Sequence, residues 1–170
     1  MTVRRLQPGL LQSGAVIEFL RAIALVVQCA ESVGAMAEVL DRTIEYAQER
    51  VAFGRTISSY QAIKHYLAKA KVDLEASRGA VIAAVTAVGH GADNTQELVS
   101  IMKSFVAVAA DHLVQICIQI DGAIGVTWEH NVHLYLRRVT VNRAPHGSPE
   151  DHHRRLGRMS MKTNETVGGK

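Results

Sequence analysis

A chain of 170 residues suffices for one domain, at most with a short appendage, and a hydrophobic fraction of 48% supports a real core. Aromatics at 5% leave that core to Ala, Val, Ile and Leu, and only three prolines occur, which favours helix over strand. The net charge of +3 is dispersed, with short basic clusters only at Arg137-Arg138 and Arg154-Arg155, which argues against nucleic-acid binding.

Taken in chain order, residues 1–12 read as a lead-in and 13–162 as one helical bundle. The first helix is expected from Ser13 to Arg50, with Ile17, Leu20, Ala24, Val27, Ala30 and Gly34 recurring at helical spacing. Asp41, Glu45 and Glu49 mark its solvated side. Phe53-Gly54-Arg55-Thr56 breaks it, and Ser58 or Ser59 can cap a second helix with a stripe of Ile63, Tyr66, Leu67, Ala70 and Leu74. The cluster from Gly89 to Asn94 ends that helix, and Thr95 is a plausible cap for the third, which Gly122 stops. The third helix carries Leu98, Ile101, Met102, Phe105, Val108, Ala109, Leu113 and Ile116. A fourth is expected from Glu129 to about Asn142 and a polar fifth segment from Pro149 to Lys162, while 163–170 reads as a disordered tail. Long helices on short loops predict an all-α, antiparallel bundle of four helices.

Cys29 and Cys117 lie in apolar helical runs, which suits packed, reduced thiols and a cytoplasmic protein. Gln7, Pro8 and Gln12 interrupt any signal-peptide core. The most apolar window, Ala22 to Ala30, is shorter than the roughly 20 residues a bilayer needs, so no membrane partner is expected.

Three stretches carry a family resemblance. Arg50-Val-Ala-Phe53-Gly54, followed by Tyr60-Gln61, resembles the acyl-CoA dehydrogenase signature R-x-x-F-G-x-x-I-x-x-F-Q, with Tyr60 in place of Phe. Gln119-Ile-Asp-Gly122-Ala-Ile-Gly125-Val-Thr127 is similar to that family's Q-x-x-G-G-x-G-x-T loop, and Leu134-Tyr-Leu-Arg137-Arg138 follows at the family's spacing. The likeness extends from about Ile17 to His153 and implies the C-terminal helical domain of that family. It further implies FAD, with the adenine and pyrophosphate gripped across a subunit interface, and a homo-oligomer or a full-length acyl-CoA dehydrogenase as partner. Acyl-CoA would be reached through that complex. Arg50 offers a planar charged fork for pyrophosphate, and Gln61 and Gln119 offer uncharged hydrogen bonds. Gly122 and Gly125 would let backbone N–H groups approach a phosphate, and Phe53 would pack on the cofactor or staple two helices.

The sequence departs from the family at the base. Counting forward from Arg137 places Pro145-His146-Gly147-Ser148 at the turn where most members carry the proton-abstracting Glu, so His146 is the candidate there. Counting back from Phe53 places Ala24 at the alternative base position. Ala123 replaces the second Gly of the family's pair. The chain is therefore expected to be inactive alone, as a subunit lending cofactor contacts or as a structural module. Glu150-x-x-His153 has di-iron ligand spacing without a second such pair, and His130 and His133 lack Cys or acidic partners, so no metal is expected.

Overall fold

The computed structural model describes residues 14–122 and 132–167, with side chains to Met161. Its described residues form five helices: α1 (Gly14–Glu49), α2 (Gln61–His90), α3 (Thr95–Asp121), α4 (Val132–Arg143) and α5 (Pro149–Val167). Between α1 and α2 a two-residue hairpin pairs β1 (Val51–Ala52) with β2 (Arg55–Thr56).

Long-range contacts fix the helix directions. Thr43 near the end of α1 donates to Asp121 at the end of α3. Glu18 near the start of α1 and Gln96 near the start of α3 both receive Arg155. α1 and α3 therefore run parallel. α2 runs antiparallel to both, because Cys29 early in α1 shares one core cluster with Ala84 late in α2 and Met102 early in α3. α4 runs back along α3, from the Cys117 region at Val132 to Lys103 at Asn142. The all-α, up-and-down expectation holds.

The core side of α1 is not the stripe read from the sequence. Its buried seam includes Ala22, Leu25, Cys29, Met36, Leu40 and Ala47. Ile17, Leu20 and Val27 are 70, 58 and 61% exposed, on the opposite side of the helix. α1 is apolar on two faces, and periodicity cannot choose between them. The seam carrying small Ala and Cys side chains lets α2 and α3 approach closely. On α2, by contrast, Ala70 and Leu74 are buried as expected, although Tyr66 points outward. α3 buries Met102, Ala109, Leu113 and Ile116 while Ile101, Phe105 and Val108 stay exposed. α1 and α3 are each long and apolar enough to cross a bilayer by length and composition, which the nine-residue window from Ala22 did not suggest. For α3, 61% of its most apolar window is buried within the fold, as in a bundle's core helix.

Several helix ends differ from expectation. Neither Ser58 nor Ser59 caps α2: they lie in a 3-10 turn, where Ser59 Oγ donates to the Thr56 carbonyl, and Tyr60 is the N-cap without a side-chain bond. Thr95 is the first residue of α3 rather than its cap. Its hydroxyl bonds the carbonyls of Ala87 and Ala92, tying the end of α2 to the start of α3. Gly91 ends α2 at φ 62°, and the Ala92 N–H reaches back to the Ala87 carbonyl. α5 starts with a reciprocal capping pair, Ser148 N–H to Asp151 and Asp151 N–H to Ser148 Oγ, with Pro149 as its first residue. That helix continues to Val167, so the backbone of 163–167 is helical where a disordered tail was expected.

α4 is fastened by a buried polar knot. The Asn142 side-chain amide donates to Glu31 Oε2 at 3.0 Å and Ser32 Oγ at 3.2 Å, while the Asn142 backbone carbonyl accepts Lys103 Nζ. Lys103 is 1% exposed, and burial holds its ammonium below the ordinary lysine range.

Candidate functional site

The hairpin after α1 holds a strained aromatic. Phe53 and Gly54 sit at its tip with φ of 51° and 80°, both positive, as a type I′ turn requires. Gly54 adopts this freely, but a left-handed Phe costs about 1–2 kcal/mol. The Phe53 ring is also 98% exposed, so it staples no helices. Strain combined with full exposure of an aromatic marks a place held ready for contact. Phe53→Asn should raise stability by about 0.5–1 kcal/mol, since Asn tolerates the left-handed region and no burial is lost. The measurement is the thermal midpoint of unfolding.

The strands around this tip are braced. Tyr60 Oη donates to the Ala52 carbonyl at 2.9 Å, and the Arg55 guanidinium lies 3.9 Å from the centre of the Tyr60 ring. The Ile57 N–H bonds the Arg50 carbonyl at 2.8 Å, which closes the base of the hairpin.

Beside the tip lies a concavity of about 450 Å3. Ala52, Phe53, Ile57 and Tyr60 form one wall, the first turns of α2 (Ala62, Ile63, Tyr66) a second, and the end of α3 (Ile116, Gln119, Ile120) a third. An apolar hollow of this size with a few polar groups is what a small-molecule site requires. Arg50 stands exposed at the root of the hairpin, and Gln61, also exposed, lies between the lining residues Tyr60 and Ala62. Arg50, Phe53, Gln61 and Gln119 thus collect at one end of the bundle, where α1 and α3 finish and α2 begins.

Gly122 closes the same end and stops α3, as expected. Its φ of 65° demands glycine, and its N–H is committed to the Ile118 carbonyl as the cap of α3. The loop that follows it, where backbone N–H groups were expected to approach a phosphate, lies outside the described residues. Gly125, Ala123 and His130 lie outside the described residues.

His146 is at the other end. It has a left-handed φ of 62° and an exposed side chain, and its carbonyl receives Arg21 Nη2 at 2.7 Å. Arg21 is close to the start of α1 and Arg50 just follows its end, so roughly 40 Å of helix at 1.5 Å per residue separates them. Ala24, the other position reached by counting from the motifs, lies one turn along α1 from Arg21. Of the pair, only His146 can take a proton.

The remaining reactive groups are inert or peripheral. Burial pushes the Cys29 and Cys117 thiols up to about 11, so neither supplies a thiolate nucleophile near neutral pH. A second hollow of about 510 Å3 brings Lys69, Asp73, His112 and His153 beside Ile101 and Phe105. Glu150 lies 3.6 Å from Arg143. Among the described residues no three His, Cys, Asp or Glu converge as a metal site would need.

Sequence reasoning missed Ile116, Ile120 and Tyr66 as walls of the first hollow. Ile116 and Tyr66 were read only as apolar positions of their helices, and the hollow forms where the hairpin, the start of α2 and the end of α3 meet.

The comparisons bear on the family and the fold. Residues 22–161 match the family model described as acyl-CoA dehydrogenase, C-terminal domain. Acyl-CoA dehydrogenase IpdE2 of Mycolicibacterium smegmatis is 32% identical over 133 residues, which is 78% of this chain and 41% of that protein. The ChsE4-ChsE5 complex from Mycobacterium tuberculosis superposes with a TM-score of 0.81 at 26% identity, covering 86% of this chain and 40% of the other. PigA with FAD and proline gives the same TM-score at 23% identity, covering 86% of this chain and 38% of that one, and bears on the fold alone. The chain thus spans about two-fifths of the length of the relatives it matches. It belongs to the acyl-CoA dehydrogenase family, in which it corresponds to the C-terminal domain.

Proposed function

We propose that the chain acts as an acyl-CoA dehydrogenase-type subunit that supplies contacts to an FAD whose flavin ring is held by a partner subunit. The residues present fit such a group. The first hollow is apolar with aromatic walls, which suits an adenine, and Arg50 beside it presents a permanently charged planar fork, which suits a pyrophosphate. Gln61 and Gln119 add uncharged hydrogen-bonding groups at the rim. When bound, the flavin would accept the hydride equivalent removed from an acyl-CoA thioester.

The observation that carries this reading is the separation of the two candidate sites. About 40 Å lies between the hairpin hollow and the His146 turn, further than one extended dinucleotide spans. One copy of the chain cannot offer both ends to the same cofactor. Each end would serve a different active site, which calls for an oligomer, formed with itself or with a full-length acyl-CoA dehydrogenase. We place this assembly in the cytoplasm on the strength of the two buried free thiols.

Arg50→Ala combined with Gln119→Ala should weaken flavin retention by the assembled complex about tenfold to hundredfold, the range for losing charge-assisted bonds to phosphate. Assembly should survive, since both side chains are exposed. Flavin content per complex, with size-exclusion chromatography for assembly, is the readout. A second reading, a non-catalytic oligomerisation module, is favoured by the exposed imidazole of His146 at the base position. It predicts that the double variant changes neither flavin content nor activity.

A further inference from the structure

We infer that His152 and Arg21 are positioning residues that clamp the Pro145–Ser148 turn through the His146 carbonyl, and that the His152 half of this clamp opens on acidification. This needs only the chain itself and stands apart from the cofactor reading.

The geometry is specific. His152 is 1% exposed, on the first turns of α5, and its Nε2 lies 3.3 Å from the His146 carbonyl oxygen. The same oxygen receives Arg21 Nη2 at 2.7 Å from α1. Gly147, at φ 110°, lies flush against the imidazole: a Cβ there would meet His152 Nε2 at 3.2 Å. Two donors from two helices and a close ring–backbone approach therefore hold the turn and aim His146. An accepting carbonyl requires the Nε2–H tautomer, which leaves Nδ1 without a proton. Nδ1 is buried and has no hydrogen-bond partner among the described residues.

A second proton would have to be placed on that Nδ1, where no acceptor meets it. The charges facing the ring also oppose it. They are Arg21 from α1, Lys103 from α3, and Arg155 with Asp151 from α5, three cations against one carboxylate. Glu18 on α1 is paired with both Arg21 and Arg155. Burial, outweighing the bond to the His146 carbonyl, holds His152 below the ordinary histidine range, and the three cations push the same way. A folded-state value below about 6.5 means that the neutral ring stabilises the clamped form fully above that pH. Below it the unclamped form binds a proton that the clamped form refuses, and the advantage is lost as pH falls towards the folded-state value. On protonation the ring leaves its slot, Gly147 loses the surface it packs on, and Arg21 alone keeps the carbonyl.

The test is an NMR titration of the full-length chain from pH 7.5 to 5, with 15N-labelled histidine rings and backbone amides. His152 should begin as the Nε2–H tautomer and titrate below about 6.5. The Gly147 and Ser148 amides should shift in the same step, and the Ser148 amide, which donates to Asp151, should lose at least tenfold in exchange protection beyond the intrinsic pH effect. His152→Gln, which offers an N–H to the same carbonyl and cannot titrate, should keep both amides unchanged over the range. Titration of His152 without movement of those amides would overturn the inference, and wild-type protein alone decides this. So would an acid transition of the turn in His152→Gln matching that of the wild type.

Discussion

Leu40→Ala should lower the free energy of unfolding by about 3–4 kcal/mol, while Leu20→Ala, on the same helix, should change it by less than about 0.5. Leu40 is fully buried in the cluster that joins α1 to Leu74 of α2 and Leu113 of α3. Truncation there removes the transfer energy of the lost carbons and leaves a cavity that rigid helices cannot refill. Leu20 is 58% exposed on the opposite side, so in the isolated chain it has little burial to lose. Urea titrations of the two variants give the comparison directly. Similar losses in both would mean that α1 packs through the wrong face.

Lys103 should show the second large effect. Lys103→Ala should cost about 3 kcal/mol, whereas Lys103→Met should stay within about 1 kcal/mol of the wild type. The side chain is 1% exposed, and among the described residues its hydrogen bond is to the Asn142 backbone carbonyl. Alanine loses that bond and opens a cavity. Methionine loses the bond as well, but it fills most of the volume and removes the cost of keeping an ammonium ion out of water. Denaturant unfolding at fixed pH separates the two. Equal losses would show that the charge itself, through its bond to α4, holds the knot together.

The extent to which this was legible in advance follows from the kind of signal each feature leaves. Helix existence depends on composition and period, so α2 ended within the expected Gly89–Asn94 cluster and α3 at the expected break, Gly122. Facing depends on what surrounds a helix, and α1 presents an apolar stripe on each side, so the helical spacing of Ile17, Leu20 and Val27 picked out the stripe that lies outside the core. Capping chemistry was misplaced for a related reason. Ser59 and Thr95 each had a nearer carbonyl to bond than a free N–H, and those carbonyls are set by the 3-10 turn and by the end of α2.

At the candidate site, Arg50, Phe53, Gln61 and Gln119 were found because they recur at fixed separations in family motifs. Their meeting at one end of the bundle, and the distance from there to His146, are tertiary facts. The Phe53 strain is likewise invisible until the hairpin is seen. His152 and Arg21 left no local mark, since they act on a backbone carbonyl, and a carbonyl has no sequence signature.

The central claim is that this chain completes a flavin site in an assembly. An absorbance scan near about 450 nm, where flavin absorbs as a property of the cofactor, should be run on the chain purified alone and on the chain co-purified with full-length acyl-CoA dehydrogenase partners. Flavin present only in the co-purified assembly, and reduced there by Arg50→Ala with Gln119→Ala, is the predicted result. A partner that holds flavin equally well with and without the chain would contradict it.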